Sequence, residues 1–69
     1  MNPRYVAPHK YRVLFLDHQF DVTRQTPIDA CDDDMAMDLA SDLADGQCVE
    51  VWDGLRQVVP ATRMGPAHY

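Results

Sequence analysis

The sequence lacks the features that mark most enzymes and metal proteins. Its 69 residues leave no room for a doubly wound sheet or a barrel enzyme. The three glycines are scattered and form no phosphate-binding loop. The two cysteines, Cys31 and Cys48, belong to no CxxC or Cys/His cluster, so we expect two reduced thiols, with a disulfide as the alternative. These absences favour a non-enzymatic binding protein that has no cofactor and no bound metal.

Long apolar runs are also missing. The longest run near the N-terminus is Val13–Leu16, whereas a signal peptide needs an apolar stretch of about 7–15 residues. No segment approaches the roughly 20 apolar residues that cross a membrane. We therefore expect a protein of the cytoplasm, in a bacterial or host cytosol.

Local patterns predict two β-hairpins separated by one helix. Residues 11–17 (YRVLFLD) are rich in β-branched and aromatic side chains, as strands are. The predicted strands are 11–17, 22–28, 47–52 and 55–59. Because an isolated hairpin is unstable, both hairpins are expected in one sheet. The predicted fold is α+β: a four-stranded antiparallel sheet with one helix on one face, in the order β-β-α-β-β, as a domain over 11–60 between flexible tails at 1–10 and 61–69.

The helix is predicted over 33–45. Asp32 can cap its first turn, and Gly46 is suited to the left-handed position after its last turn. Apolar residues recur at helical spacing and predict the stripe that faces the sheet: Ala36, Leu39, Ala40 and Leu43.

Asp53-Gly54 predicts a two-residue turn in the second hairpin. That register places Trp52 opposite Leu55. It assigns Val49, Val51 and Val58 to the helix-facing side, and Cys48, Glu50, Trp52, Leu55, Gln57 and Val59 to the open side.

Charge is distributed very unevenly along the chain. The net charge is −5, yet residues 25–55 hold nine acids and no lysine or arginine. Asp34, Asp38 and Asp42 recur every four residues, which separates them by about 6 Å along one side of a helix. Like charges at this spacing destabilise a helix. We therefore interpret this row of aspartates, the acidic ridge, as a binding surface. The alternative is a solvated face that only keeps the protein in solution.

The first functional hypothesis is a small acidic inhibitor that places carboxylates on the cationic nucleic-acid-binding surface of a protein or complex. It would act as a nucleic-acid mimic without binding nucleic acid or membrane itself, as a monomer or weak dimer. The predicted partner-binding residues are Asp33, Asp34, Asp38, Asp42, Asp45, Glu50, Trp52 and Asp53. This hypothesis requires that Arg12, Arg24 and Arg56 leave those carboxylates free.

The second hypothesis is a bacterial accessory domain that binds another protein through the open sheet face or its edge. Trp52 would then be the main contact, because tryptophan is enriched at interaction hot spots. Alternatively, Trp52 packs on the sheet and is covered by one of the tails.

The segments YRVLFLD, DDDMAMDLASDLADG and VEVWDGLRQVV resemble a group of short, uncharacterised alphaproteobacterial proteins with the pattern YRVxFLD, an acidic helix ending in glycine, and VExWxxxRxV. The likeness covers residues 11–59. In the first turn His18-Gln19-Phe20 stand where the group has a glycine-containing turn. By size and acidity the chain also resembles anti-CRISPR proteins of phages and prophages, which implies an inhibitor that covers the DNA-binding surface of a CRISPR effector complex.

Overall fold

One antiparallel sheet and one helix make up the fold of residues 9–65, which are the residues that this computed structural model describes. The elements are β1 (His9–Leu16), β2 (Val22–Ala30), α1 (Asp33–Ala44), β3 (Cys48–Asp53) and β4 (Arg56–Arg63). The strands lie in the order β2-β1-β3-β4, and every neighbouring pair is antiparallel. The predicted fold class and element order are therefore confirmed.

Both ends of the sheet extend beyond the predicted strands. β1 begins at His9, which pairs with Ala30, and β4 continues to Arg63, which pairs with Cys48. Residues 9–10 and 61–63 were expected in flexible tails, and this part of the expectation is wrong. Pairing with Ala30 and Asp29 holds His9 and Lys10 in the sheet, and pairing with Val49 and Cys48 holds Thr62 and Arg63. The rest of the expected tails, at 1–8 and 66–69, lies outside the described residues.

The second hairpin has a different register from the predicted one. Its two-residue loop is Gly54-Leu55, and Asp53 pairs with Arg56. Gly54 has a φ of 63°, a positive value at the first loop position only, as in a type II′ turn. An irregularity then pairs Val51 with Val59, so Val59 is the buried valine and Val58 is only partly buried.

The helix carries a four-residue repeat that decides which side faces the sheet. Residues 34–45 read DMAM, DLAS, DLAD, so the aspartates, the apolar Met and Leu residues and the alanines each form a row along the helix. The alanine row, Ala36, Ala40 and Ala44, has no exposed surface. The apolar row, Met35, Leu39 and Leu43, is 45%, 36% and 39% exposed.

The predicted stripe was therefore half right. Ala36 and Ala40 face the sheet, but Leu39 and Leu43 are turned outward, and Ala44 takes the third buried position. The small alanine side chains let the helix backbone lie close to the sheet, whereas leucines in their place would hold it away.

The core lies between the alanine row and one face of the sheet. The central strands supply its large side chains in alternation, as the two-residue period of a strand requires. They are Tyr11, Val13 and Phe15 from β1, and Val49 and Val51 from β3. The helix-facing assignment of Val49 and Val51 is confirmed, and so is the opposite orientation of Glu50 and Trp52.

The N-terminal cap is the predicted one, whereas the left-handed residue that ends the helix is Asp45, one position before the predicted Gly46. The Asp32 carboxylate accepts a hydrogen bond from the Met35 N–H at 2.8 Å. At the other end Asp45 and Gly46 both have positive φ values, 49° and 88°, and the Gly46 N–H donates to the Met64 carbonyl at 2.6 Å. The first contact closes the first turn of the helix, and the second ties the end of the helix to the residue that follows β4. Within residues 9–65 no helix is long and apolar enough to cross a membrane.

Candidate functional site

The predicted partner-binding residues do not form one surface; the fold separates them into three groups. The first group is the acid row, Asp34, Asp38 and Asp42, which continues to Asp45 beyond the helix end. All four residues are exposed. No ion pair within residues 9–65 involves any of them. This part of the predicted ridge therefore remains a free anionic surface.

The second group, Glu50 and Trp52, lies on the opposite side of the sheet. Both alternate with Val49 and Val51, whose side chains face the helix. The Trp52 Nε1–H donates to the Glu50 carboxylate at 2.8 Å. The four-stranded sheet stands between this pair and the acid row, so one flat partner surface could not contact both.

The third group, Asp33 and Asp53, is held by an arginine. Arg56 donates to both oxygens of Asp33, at 3.0 Å from Nη1 and 2.9 Å from Nη2, and from Nη2 to Asp53 at 3.1 Å. The Tyr11 hydroxyl also donates to Asp33, at 2.9 Å. These two carboxylates are therefore already occupied, contrary to what the ridge hypothesis required of Arg56.

The contacts of Asp33 shift three pKa values, those of Asp33, Arg56 and Tyr11. Hydrogen bonds from Arg56 and then Tyr11 hold the pKa of Asp33 below its usual value. The hydrogen bonds that Arg56 donates to Asp33 and then to Asp53 raise the pKa of its guanidinium. Burial, together with the hydrogen bond to Asp33, raises the pKa of the Tyr11 hydroxyl. Each shift favours the bonded form, so the cluster ties the first turn of α1 to strands β1 and β4.

A shallow depression of about 420 Å³ lies over this cluster and is also lined by His9, Cys31, Asp32 and Asp34. His9 Nδ1 is 3.8 Å from the Asp53 carboxylate, and the Asp32 carboxylate is engaged as the helix cap. Among residues 9–65 no three His, Cys, Asp or Glu side chains are arranged to hold a metal ion. The depression is thus the mouth of a structural cluster in which Asp32, Asp33 and Asp53 already have partners, and Asp34 joins it to the acid row.

The other two arginines named in the sequence analysis do not reach the acid row. The Arg12 guanidinium donates to the Gln25 side chain and to the Gly54 carbonyl, at 3.4 and 3.2 Å. The Arg24 guanidinium lies 4.0 Å from the centre of the Phe15 ring. Within the described residues, Arg12, Arg24 and Arg56 therefore leave the acid row free, as the first hypothesis requires.

The two cysteines are free thiols at opposite ends of the sheet. Cys31 follows Ala30, which pairs with His9 at the start of β1, while Cys48 pairs with Leu16 at its end. An eight-residue strand is roughly 23 Å long, far beyond the reach of a disulfide. Within a single chain the fold therefore holds the two thiols too far apart to form a disulfide, in agreement with the reduced state expected for both cysteines.

Sequence reasoning missed two features of this surface. The cluster around Asp33 joins residues 22 and 23 positions apart, and no local pattern indicates such a contact. The apolar row beside the acid row did have a signal, because the same four-residue repeat that spaces the aspartates also spaces Met35, Leu39 and Leu43.

No protein-family model, curated protein or solved structure matches this chain. The resemblance to the alphaproteobacterial group therefore stays a prediction. Function has to be inferred from the surfaces themselves.

Proposed function

We propose that this protein is a small acidic inhibitor that docks the acid row of its helix on the cationic nucleic-acid-binding surface of a partner, in the manner of anti-CRISPR proteins. One observation carries the proposal: Asp34, Asp38, Asp42 and Asp45 are all exposed on one side of α1, with no cation paired to them within residues 9–65. Such a surface attracts Lys- and Arg-lined partners and speeds their encounter.

The acid row has the rigidity that a mimic of nucleic acid needs. Its carboxylates stand about 6 Å apart along the helix, close to the ~6.8 Å between alternate phosphates of a DNA strand. The alanine row fixes the helix on the sheet, and caps hold both of its ends. The charges are therefore held in place before a partner arrives, which reduces the entropy lost on binding.

The row is unfavourable for the fold, which supports a role in binding. Asp34, Asp38 and Asp42 repel one another at four-residue spacing. Asp42 and Asp45 lie at the negative end of the helix dipole, and the last turn contains no basic residue. Asp33 and Asp34 differ, because the dipole favours negative charge in the first turn, and Asp33 is also bonded to Arg56. The cost of the row to the fold therefore falls mainly on Asp38, Asp42 and Asp45.

The proposed binding surface is therefore smaller than the set that the sequence predicted. Asp33 and Asp53 belong to the structural cluster, and Glu50 and Trp52 lie across the sheet. The acid row with Asp45 remains.

A second candidate function is binding through the open face of the sheet. Trp52 is partly exposed there, and no helix within residues 9–65 covers that face. Binding at the sheet edges is disfavoured, because each edge strand contains a proline, Pro27 in β2 and Pro60 in β4. Proline cannot donate to an added strand.

The test is inhibition of DNA binding by a panel of purified CRISPR effector complexes, measured by gel shift. Two variants separate charge position from charge number: Asp38→Lys/Asp42→Lys alters the acid row, and Asp21→Lys/Asp29→Lys changes the net charge equally elsewhere. We expect the chain and the second variant to inhibit, and the first variant to lose inhibition.

Two other results would count against this proposal. Equal inhibition by both charge variants would show that the acid row is not the contact, and no inhibition across the panel would remove the CRISPR assignment. Loss of inhibition in Trp52→Ala alone would instead favour the open face of the sheet.

A further inference from the structure

We infer that the element which contacts α1 is a basic amphipathic helix of the partner protein. This inference rests on the proposed function and specifies the partner's chemistry. It comes from the apolar row, Met35, Leu39 and Leu43, whose members remain 36–45% exposed directly beside the acid row.

The two rows run side by side along the outer surface of α1. Each apolar residue follows an aspartate by one position, three times in succession, which places the rows about 100° apart around the helix. From Asp34 to Leu43 the double row extends for about 13 Å. Anionic and apolar groups are thus presented together in one repeating pattern.

The apolar row has no equivalent in a nucleic acid backbone. A partner groove shaped only to bind phosphates would offer Leu39 and Leu43 no apolar contacts. The favourable free energy of removing their apolar surface from water would then not be gained. The core does not need Leu39 and Leu43, because the alanine row already packs against the sheet. A partner that matches both rows must offer cations and aliphatic side chains at the same spacing.

A helix with a Lys or Arg row beside a Leu or Ile row meets that requirement. Rows at four-residue spacing on two helices can interdigitate, the commonest mode of helix packing. Its cations would complement the acid row, which has no paired cation within residues 9–65. A second copy of this chain fits poorly, because a symmetric contact between two α1 helices would bring two acid rows together.

The test uses three labelled helical peptides of about 18 residues, or five turns, in fluorescence anisotropy at physiological salt. The first carries adjacent Lys and Leu rows. The second has the same composition with the rows broken up, and the third replaces leucine by serine. We expect the first to bind about tenfold more tightly than the other two, since two or three aliphatic contacts are gained.

Variants then locate the contact on α1. Leu39→Gln/Leu43→Gln should remove the advantage of the first peptide and leave binding of the Lys/Ser peptide unchanged, because the acid row is intact. Leu55→Gln is the matched control, since Leu55 is 98% exposed in the hairpin loop. Circular dichroism checks that α1 is retained, and the comparison among peptides with the unaltered chain does not depend on any variant.

Equal affinity for the three peptides, or an equal loss in Leu55→Gln, would overturn the inference. So would a dimer in sedimentation that dissociates in Leu39→Gln/Leu43→Gln, because the apolar row would then serve self-association. None of these results affects the proposed function, which fails separately if Asp38→Lys/Asp42→Lys still blocks DNA binding by the effector complexes.

Discussion

Reversing a charge in the acid row should stabilise the fold although it should weaken binding to a cationic partner. Asp38 is the central member of the row, exposed and four residues from both Asp34 and Asp42. Asp38→Lys replaces two repulsive pairs by two attractive ones, and each pair contributes roughly 0.2–0.5 kcal/mol in either sense. Lysine is also the better helix former by a few tenths of a kcal/mol. We therefore expect the free energy of unfolding to rise by about 1–2 kcal/mol.

Urea denaturation followed by circular dichroism measures this change. For a domain of this size, about 1 kcal/mol corresponds to roughly 4–8 °C in Tm, so thermal unfolding gives an independent reading. The gain should shrink at about 1 M salt, where exposed charges are screened beyond ~3 Å. Asp21→Lys, in the exposed first turn, is the control and should change stability by less than about 0.5 kcal/mol.

A neutral or destabilising Asp38→Lys would refute this reasoning. It would mean that Asp38 has a favourable partner that compensates for Asp34 and Asp42. The row would then be part of the fold, and its use as a binding surface would lose its energetic support.

Three further predictions concern the structural cluster, the core and the two cysteines. Because hydrogen bonds from Arg56 lower the pKa of Asp33, its contribution to stability is complete above the unfolded carboxyl pKa of about 3.9 and is lost as the pH falls through the lower folded value. Asp33→Asn should therefore lower the urea midpoint at neutral pH, and this loss should shrink as the pH falls below about 3.9; a loss that does not change with pH would contradict this. Ala40→Leu should destabilise by about 1–3 kcal/mol, because the closed contact between helix and sheet has no room for three more carbons; an unchanged urea midpoint would show that the contact is loose. Under mild oxidation the monomer should form no internal disulfide, and Cys31, which is exposed, should react with a thiol reagent before the half-buried Cys48, as mass spectrometry of the labelled protein can check.

The secondary structure was predictable because its signals are local. Alternation in YRVLFLD indicates a strand whatever the rest of the chain does. Asp32 marks the start of the helix, and Gly46 marks its end to within one residue, since Asp45 is the left-handed cap. The need to bury both hairpins against one helix then leaves few alternatives to a single sheet.

The register of the second hairpin was not predictable from the same signals. Asp53-Gly54 and Gly54-Leu55 are both acceptable two-residue loops, since each contains the glycine that a tight turn needs. The Gly54-Leu55 loop alone would place Val58 opposite Val51, and the irregularity in the ladder brings Val59 to the buried position instead. No local pattern in the sequence marks that irregularity.

The sequence alone determined that a row of aspartates lies along the helix, because four-residue spacing keeps them on one side wherever the helix is placed. Only the tertiary structure decided which acids stay free. Docking of α1 brings Asp33 within reach of Arg56, 23 residues away, while strand alternation turns Glu50 away from the helix. Both outcomes depend on contacts between distant segments, whose geometry exists only after the helix has settled on the sheet.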